Sequence, residues 1–494
     1  MALTTSRRSP RFRRLITATA VAGASAVLLA PFGVSPAQAA DPYPSDSTKP
    51  DLVAPLSGYS SLWQTSGLND LHGTVKDGAT LQWNDRVTSW INQHATKNQQ
   101  FRALQNAAYL NSDGSGYDQS ISIADGLGRR LGQIYAQGRI SGELPKVAAL
   151  INNSNGTGGA YVSTSNAKAA FSYPRPFLNA DPTAPKVAGD TDACAPSKVN
   201  SSSLKSIRTG KRWADAKGNL KITRVPATVD TTHAFASIDV TLDPIYGEAG
   251  LCTGGSFPSG HTTSAYQAGI TLATLLPELA PQILARTSEA GNNRIVLGVH
   301  YALDIIGGRI SGEVAVASRW SDAKFRSEVL NPAREELVSY LEAKCGARLA
   351  TCIAKDKSYL NNPYGGATIP GGGKQKVTDR KSALKVYTER LSYGFAPVFS
   401  TRLSPSVPRS AAALLRTTYP TLNDNQRRQI LAQTEIRSGH PLDTTVSSRV
   451  GTAPASWQRL NLAAAMSASV IVRADGTVKV ISVGGKAKVR HLKK

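Results

Sequence analysis

Pro258-Ser259-Gly260-His261-Thr262-Thr263, followed by a run of mostly small and apolar residues to Leu284, reads as a loop entering a helix. Ser259 is a good N-cap, because its hydroxyl can accept from a backbone N–H of the first turn. Gly260 has no Cβ, so backbone N–H groups there can approach an anion closely. A helix N-terminus is a ready anion site. His261, one step further along, is placed to hand a proton to an oxygen leaving that anion.

Two other stretches carry matching chemistry. The first is Lys168-Ala-Ala-Phe-Ser-Tyr-Pro174-Arg175-Pro176 and the second is Asn293-Arg294-Ile-Val-Leu-Gly-Val-His300-Tyr-Ala-Leu-Asp304. A phosphoryl group in transfer spreads charge over three oxygens, so its catalysis rests on positioned cations and donors. Lys168, Arg175 and Arg294 are the candidates, and arginine suits the task through its planar fork of donors. Lys168 lies about two helical turns before Arg175, so both can point one way, with Pro174 and Pro176 ending that helix. Arg294, His300 and Asp304 are expected to share one helix, which makes His300 and Asp304, at i and i+4, neighbours on one face. A carboxylate accepting one ring N–H fixes the histidine tautomer and leaves the other nitrogen free to attack phosphorus. The expected intermediate is a phosphohistidine on His300, later displaced by water while His261 turns from acid to base.

Each fragment alone has a plain structural reading: a capping histidine, a helical His–Asp pair, surface charge. Their joint occurrence in this order favours the chemical one. Ser438-Gly439-His440 repeats part of the string but lacks the preceding proline. Gly126-Leu-Gly128 follows no strand, which argues against a dinucleotide site.

The first 39 residues read as a secretory signal peptide. Arg7, Arg8, Arg11, Arg13 and Arg14 precede an apolar stretch from Leu15 to Val34, and Ala37-Gln38-Ala39 offers a small-x-small cleavage pattern. The mature chain is expected to be extracellular. Elsewhere no segment reaches the roughly 18 uninterrupted apolar residues of a membrane span; Ala265 to Leu284 comes nearest, broken by Gln267, Pro277, Glu278 and Pro281. With an even number of cysteines in an exported chain, two disulfides are expected. Cys345 and Cys352 would close a small loop, and Cys194 and Cys252 would bracket a long excursion. No Cys-x-x-Cys or neighbouring His pair suggests a metal site. The net charge of +23 favours anionic partners, phosphoesters among them, without implying a specific nucleic acid.

Between the motifs, Leu81 to Leu150 shows apolar residues at three- and four-residue steps, with Asp125 a candidate helix start. Residues 179–253 are rich in Ser, Thr, Asp and Pro, with short alternating runs at Lys221–Val225 and Ile238–Leu242. Helical patterning returns at 260–284, 290–320 and 333–345. Residues 361–375, with Pro363, Pro370 and three consecutive glycines, read as a linker. Beyond it, 376–494 is expected to be a small α+β region: a helix near Asn423 to Glu435, a hairpin from Val470 to Ile481 turning at Asp475-Gly476, and a basic tail from Gly484.

The three motifs resemble the type 2 phosphatidic acid phosphatase (PAP2) superfamily, which includes soluble bacterial class A acid phosphatases and vanadium haloperoxidases. The family pattern is K-x6-R-P, P-S-G-H and S-R-x5-H-x3-D, and only Asn293 departs from it, standing where the family has Ser. The resemblance covers roughly Leu81 to Trp320, within a domain from 40 to 360 carrying an insertion at 179–253. It implies a mainly α fold with a helical-bundle core and metal-independent hydrolysis of phosphomonoesters. The catalytic residues are then His300, His261 and Asp304, and the phosphate is bound by Lys168, Arg175, Ser259, Gly260 and Arg294. No cofactor is implied; vanadate, which mimics the five-coordinate phosphoryl group, is an inhibitor on this reading and the cofactor of a haloperoxidase on the first alternative. The second alternative is a phosphate- or wall-polymer-binding protein without turnover. Asn293 still donates a hydrogen bond, so a part in orienting phosphate or its loop is altered rather than lost.

Overall fold

A computed structural model describes residues 43–108, 119–151, 161–446 and 455–492. Residues 1–39, read above as a signal peptide, lie outside the described residues. The principal helices are α1 (Gly78–His94), α2 (Lys97–Ala108), α3 (Ser165–Phe171), α4 (Gly260–Leu275), α5 (Ala280–Val296), α6 (Ala302–Ser321), α7 (Asn331–Cys345), α8 (Arg380–Arg390) and α9 (Asp424–Thr434).

The fold is mainly α, and α4, α5 and α6 form its centre. Nearly every residue of the three is buried, as their lack of a continuous polar face requires. Small residues let these helices approach closely. A Cβ added at Gly269 on α4 would fall 1.8 Å from Thr287 Oγ1 on α5, and one at Gly308 on α6 would fall 2.7 Å from Thr262 Cβ on α4. The polar residues of α5 are buried in pairs. Arg286 donates to Asp125 at 2.7 Å, and Arg102 on α2 donates to Asp125 and to Glu289 at 2.7 and 3.1 Å. Among the described residues no single helix is long and apolar enough to cross a membrane; α4 and the 277–296 segment are bent by 114°.

Several expected elements are placed differently. The patterning read as 260–284 is broken at Leu276, where Pro277 opens a 3-10 turn and Pro281 sits in the first turn of α5. The patterning read as 290–320 is broken as well. Arg294, His300 and Asp304 therefore do not share a helix: Arg294 ends α5, His300 stands in the connecting turn and Asp304 opens α6. Gly298 makes the corner at φ +69°, with Ile222 Cγ2 only 2.3 Å from where its Cβ would be. Both the left-handed backbone and the close approach call for glycine. Asp125 starts no helix; it lies in a 3-10 turn, and the next helix begins at Arg129. Lys221–Val225 forms no strand, whereas Val240–Leu242 does, paired antiparallel with Thr228–Asp230.

The disulfides Cys194–Cys252 and Cys345–Cys352 are both present. Residues 361–375 lie against the helical core instead of spanning open space. Thr96 N–H donates to Pro363 O, the Tyr364 hydroxyl accepts from Asn292, and Asn361 bridges to Val377. Tyr43–Lys494 accordingly forms one compact unit. Asn423 caps α9 with its side-chain oxygen. Ser469–Val472 and Val478–Ser482 form the expected hairpin, but the basic tail adds a third strand, Lys488–His491, parallel to the first. Arg309 of α6 clamps this C-terminal region, donating to the carbonyls of Trp457 and Gln458 while paired with Glu313 at 3.0 Å.

Candidate active site

The turn before α4 receives side chains from three directions. Ser259 is its N-cap, accepting from Thr262 N–H at 3.2 Å, and Ser259 N–H donates to Asp304 O at 3.1 Å. That second bond ties the start of α4 to the start of α6. A Cβ at Gly260 would sit 3.2 Å from Thr164 Oγ1 and 4.0 Å from Lys168 Cε. The Lys168 chain thus lies along the N-terminal end of α4, where the helix dipole already favours an anion.

Lys168 and Arg175 arrive by different routes from those their spacing suggested. α3 ends at Ser172, whose φ of 43° is left-handed, before Pro174 is reached. Arg175 therefore stands beyond the helix, where its carbonyl accepts from Leu178 N–H in a turn. Both side chains converge on one strip of backbone: Lys168 Nζ donates to Gly255 O and Ser256 O at 2.5 and 3.3 Å, and Arg175 Nε donates to Gly254 O at 3.1 Å. Cys252, two residues before that strip, is pinned to Cys194.

His300 is held at both nitrogens. Arg175 Nη1 lies 2.8 Å from Nε2, and Asp304 Oδ2 lies 3.1 Å from Nδ1. A guanidinium only donates, so Nε2 carries the lone pair and Nδ1 carries the proton, directed at Asp304. Asp304 Oδ2 also accepts from Tyr301 N–H at 2.8 Å, completing the first turn of α6. The expected His–Asp pairing is thus made across a helix start, not along one helical face.

Burial and mutual repulsion set the charges. Burial, then the Arg175 charge, pushes His300 well below the usual histidine range, and burial, then Arg294, does the same to His261. Lys168 is likewise driven well down by burial and then by Arg175, and Arg175 itself falls to about 10. Burial raises Asp304 to about 7. Arg294, in the last turn of α5, acts on both histidines and both other cations. Lys168, Arg175, Arg294, His261, His300 and Asp304 therefore form one electrostatic cluster at the N-termini of α4 and α6. An oxyanion placed there would relieve repulsion among three cations.

Asn293 takes no part in that cluster. It is fully buried, accepting from Gln99 at 2.5 Å and donating to Asn106 at 2.7 Å. Its amide serves the α2–α5 contact, and a phosphate-orienting role for it is not supported. Sequence reading also missed the residues behind His300. Asn84 and Thr88 of α1 accept from Leu303 N–H and Ala302 N–H, capping α6, and Arg208, paired with Asp85 at 2.9 Å, donates to the Tyr301 hydroxyl. The available signal was polar residues at 84, 85 and 88 on a helix otherwise read for its apolar stripe.

Residues 150–327 match the PAP2 superfamily model, a span that starts after α1 and α2. The chain is 41% identical over 88 residues to an acid phosphatase of Zymomonas mobilis, covering 18% of this chain and 33% of that protein. It is 35% identical over 86 residues to a non-specific acid phosphatase of Providencia stuartii (17% of this chain, 34% of that protein). A non-specific acid phosphatase of Salmonella typhi is 35% identical over 83 residues, 17% and 33% of the two chains. The chain spans about a third of the length of the curated relatives it matches.

Proposed function

With a PAP2 superfamily domain at residues 150–327, we propose that this chain is an acid phosphatase that hydrolyses phosphomonoesters through a phosphohistidine on His300. The observation that carries the reading is the double restraint on His300, with Nδ1 at Asp304 and Nε2 facing Arg175. Arg175 Nη1 donates to the attacking nitrogen. A substrate dianion offers the guanidinium better acceptors, freeing the Nε2 lone pair beside phosphorus.

Attack forms the P–Nε2 bond and breaks the ester P–O bond, while His261 passes its proton to the departing alcohol oxygen. Water then adds to phosphorus, His261 takes the water proton, the P–N bond breaks and phosphate leaves. His300 keeps its Nδ1 proton throughout, and the Asp304 carboxylate accepts that N–H and balances the positive charge that the phosphorylated ring acquires. Lys168, Arg175, Arg294 and the N–H groups of Gly260 and His261 hold the equatorial oxygens, so the cationic work is done by side chains and no metal is invoked.

Phosphate release from a panel of phosphomonoesters, with a chelator present, tests the reading. His300→Ala is expected to abolish release and the acid-labile phosphoenzyme, while His261→Ala should let the phosphoenzyme accumulate with substrates whose leaving group needs no proton. Turnover surviving in His300→Ala would dismiss the scheme. Export is proposed from the N-terminal pattern; an extracellular product beginning at Ala40 supports it, and a cell-retained chain beginning at Met1 opposes it.

A further inference from the structure

A second basic cleft lies at the other end of α4, some 21 Å along the helix from Gly260. Its volume is about 330 Å³, and Thr274, Arg326, Arg334, Arg416 and Thr417 are among its lining residues. The cleft forms where the π-helical turn Arg326–Leu330 and the start of α7 meet residues 413–420 of the C-terminal region. Such π turns recur at functional positions.

Arg326 Nη1 in this cleft donates to Trp320 O at 2.5 Å, but other donors there lack an acceptor. Arg416 pairs with Asp424 at 2.6 Å, but Asp424 is half exposed and is shared with Arg427 at 2.8 Å. Arg334 makes no ion pair among the described residues. Arg334 Nε, Arg416 Nε and Thr417 Oγ1 are buried with no hydrogen-bond partner. Burial, and then the charge of Arg416, lowers Arg326. Buried donors and crowded like charges cost stability unless an acceptor joins them. No substrate chemistry explains these groups, because the His300 cluster lies at the opposite end of the helix.

We propose that this cleft is a second anion site, taking a compact phosphate-class oxyanion between Arg326, Arg334 and Arg416 with Thr417 Oγ1 as a further donor. Arginine forks match the oxygens of phosphate in pairs. The volume stands at the lower end of the range for ligand pockets, which suits a small ion or a single headgroup better than a polymer segment. The site is independent of the reaction assigned to His300.

Calorimetric titration of the full chain with inorganic phosphate, at about 0.15 M chloride to screen loose surface charge, is expected to find two sites. Arg334→Gln removes no ion pair and should weaken one of them roughly ten- to hundredfold while turnover changes by less than about twofold. Arg175→Ala should weaken the other. Dimethyl phosphate, a diester, distinguishes the sources: binding at the second site identifies a phosphodiester headgroup as the natural group, and its exclusion identifies free phosphate or a monoester. One phosphate per native chain, or two sites of unchanged affinity in Arg334→Gln, overturns the proposal. An Arg334→Gln/Arg416→Gln double variant, checked for native circular dichroism, repeats the test with two ligands removed; should it unfold, the single variant decides.

Discussion

Asp304→Asn is expected to stabilise the ligand-free protein while removing its activity. Burial raises the Asp304 carboxyl from its ordinary 3.8 to about 7, despite the opposing pull of Lys168 and Arg175. A folded pKa above the unfolded one means a stability contribution that is complete below about pH 4 and lost as pH rises through about 7. The gap of about 3 pKa units corresponds to about 4 kcal/mol once the group is ionised in both states. Asparagine has nearly the same shape and cannot ionise, so it avoids that loss. Its amide oxygen can occupy the place of Oδ2 and keep both bonds, from His300 Nδ1–H and Tyr301 N–H. Relative to the native chain, the variant should gain on the order of 1–2 kcal/mol at about pH 5 and about 4 kcal/mol at about pH 8.5. Urea unfolding followed by tryptophan fluorescence at the two pH values measures the difference, with matching slopes as a check on comparable unfolding. Turnover should fall by roughly two to four orders of magnitude, because the phosphorylated imidazole loses its counter-charge. A variant less stable than the native chain at the higher pH, or a gain that does not grow between the two, would refute the account of Asp304 as a strained carboxylate.

Anion binding should draw protons into the site, since His261 and His300 are held neutral by burial and cations when it is empty. Sulfate, whose own charge is constant over this range, should bind more weakly as pH rises from about 5 to 8, by up to tenfold per unit for each proton taken up. Titration in buffers of different ionisation enthalpy reads the uptake, and His261→Gln should reduce it; no uptake in the native chain contradicts the scheme. Asn293→Ser, which restores the family residue, should cost about 1–3 kcal/mol through Gln99 and Asn106 left without their partner, with kcat/KM changed by less than about threefold. A large kcat/KM effect at unchanged stability would return Asn293 to the phosphate site. Gly308→Ala forces a Cβ to 2.8 Å from Ser259 O and 2.7 Å from Thr262 Cβ. It should lower phosphate affinity by displacing the α4 turn, together with a loss of about 1–3 kcal/mol from overpacking; unaltered affinity and stability would show that the helices part freely.

What was legible in the sequence was local. Ser259 could be read as a cap because the N–H it accepts lies three residues away, and the same holds for Asn423. The break between α5 and α6 was not legible, because Ile295, Val296, Leu297 and Val299 continue an apolar pattern through the corner. Only Gly298 marks it, and glycine is required there by Ile222, 76 positions earlier in the chain. The contacts of Asn293 were not legible for the same reason: its partners Gln99 and Asn106 are 194 and 187 positions distant. The strip at Gly254–Ser256 went unremarked because carbonyl oxygens, its working groups, have no residue identity. The C-terminal strand Lys488–His491 looked like a tail because its charges face outward along an exposed edge, and pairing with Ser469–Val472 is a backbone property.

The charge balance of the site connects its stability to its chemistry. Three cations and one carboxylate meet in a space that buries them, and the carbonyls of Gly254, Gly255 and Ser256 supply partial negative charge where a second and third carboxylate are missing. Neutral carbonyls stabilise a cation less than an anion does, so burial and the neighbouring cations leave Lys168 and Arg175 below their ordinary ranges. A phosphate dianion supplies what is lacking, and transition-state charge spread over three oxygens meets three cations already in place. Filling the site with fixed carboxylates would make the empty protein more stable and would remove the reason for phosphate to bind. The cost appears in the ligand-free state as depressed cations and a raised Asp304, and the same imbalance is what the anion relieves on entry.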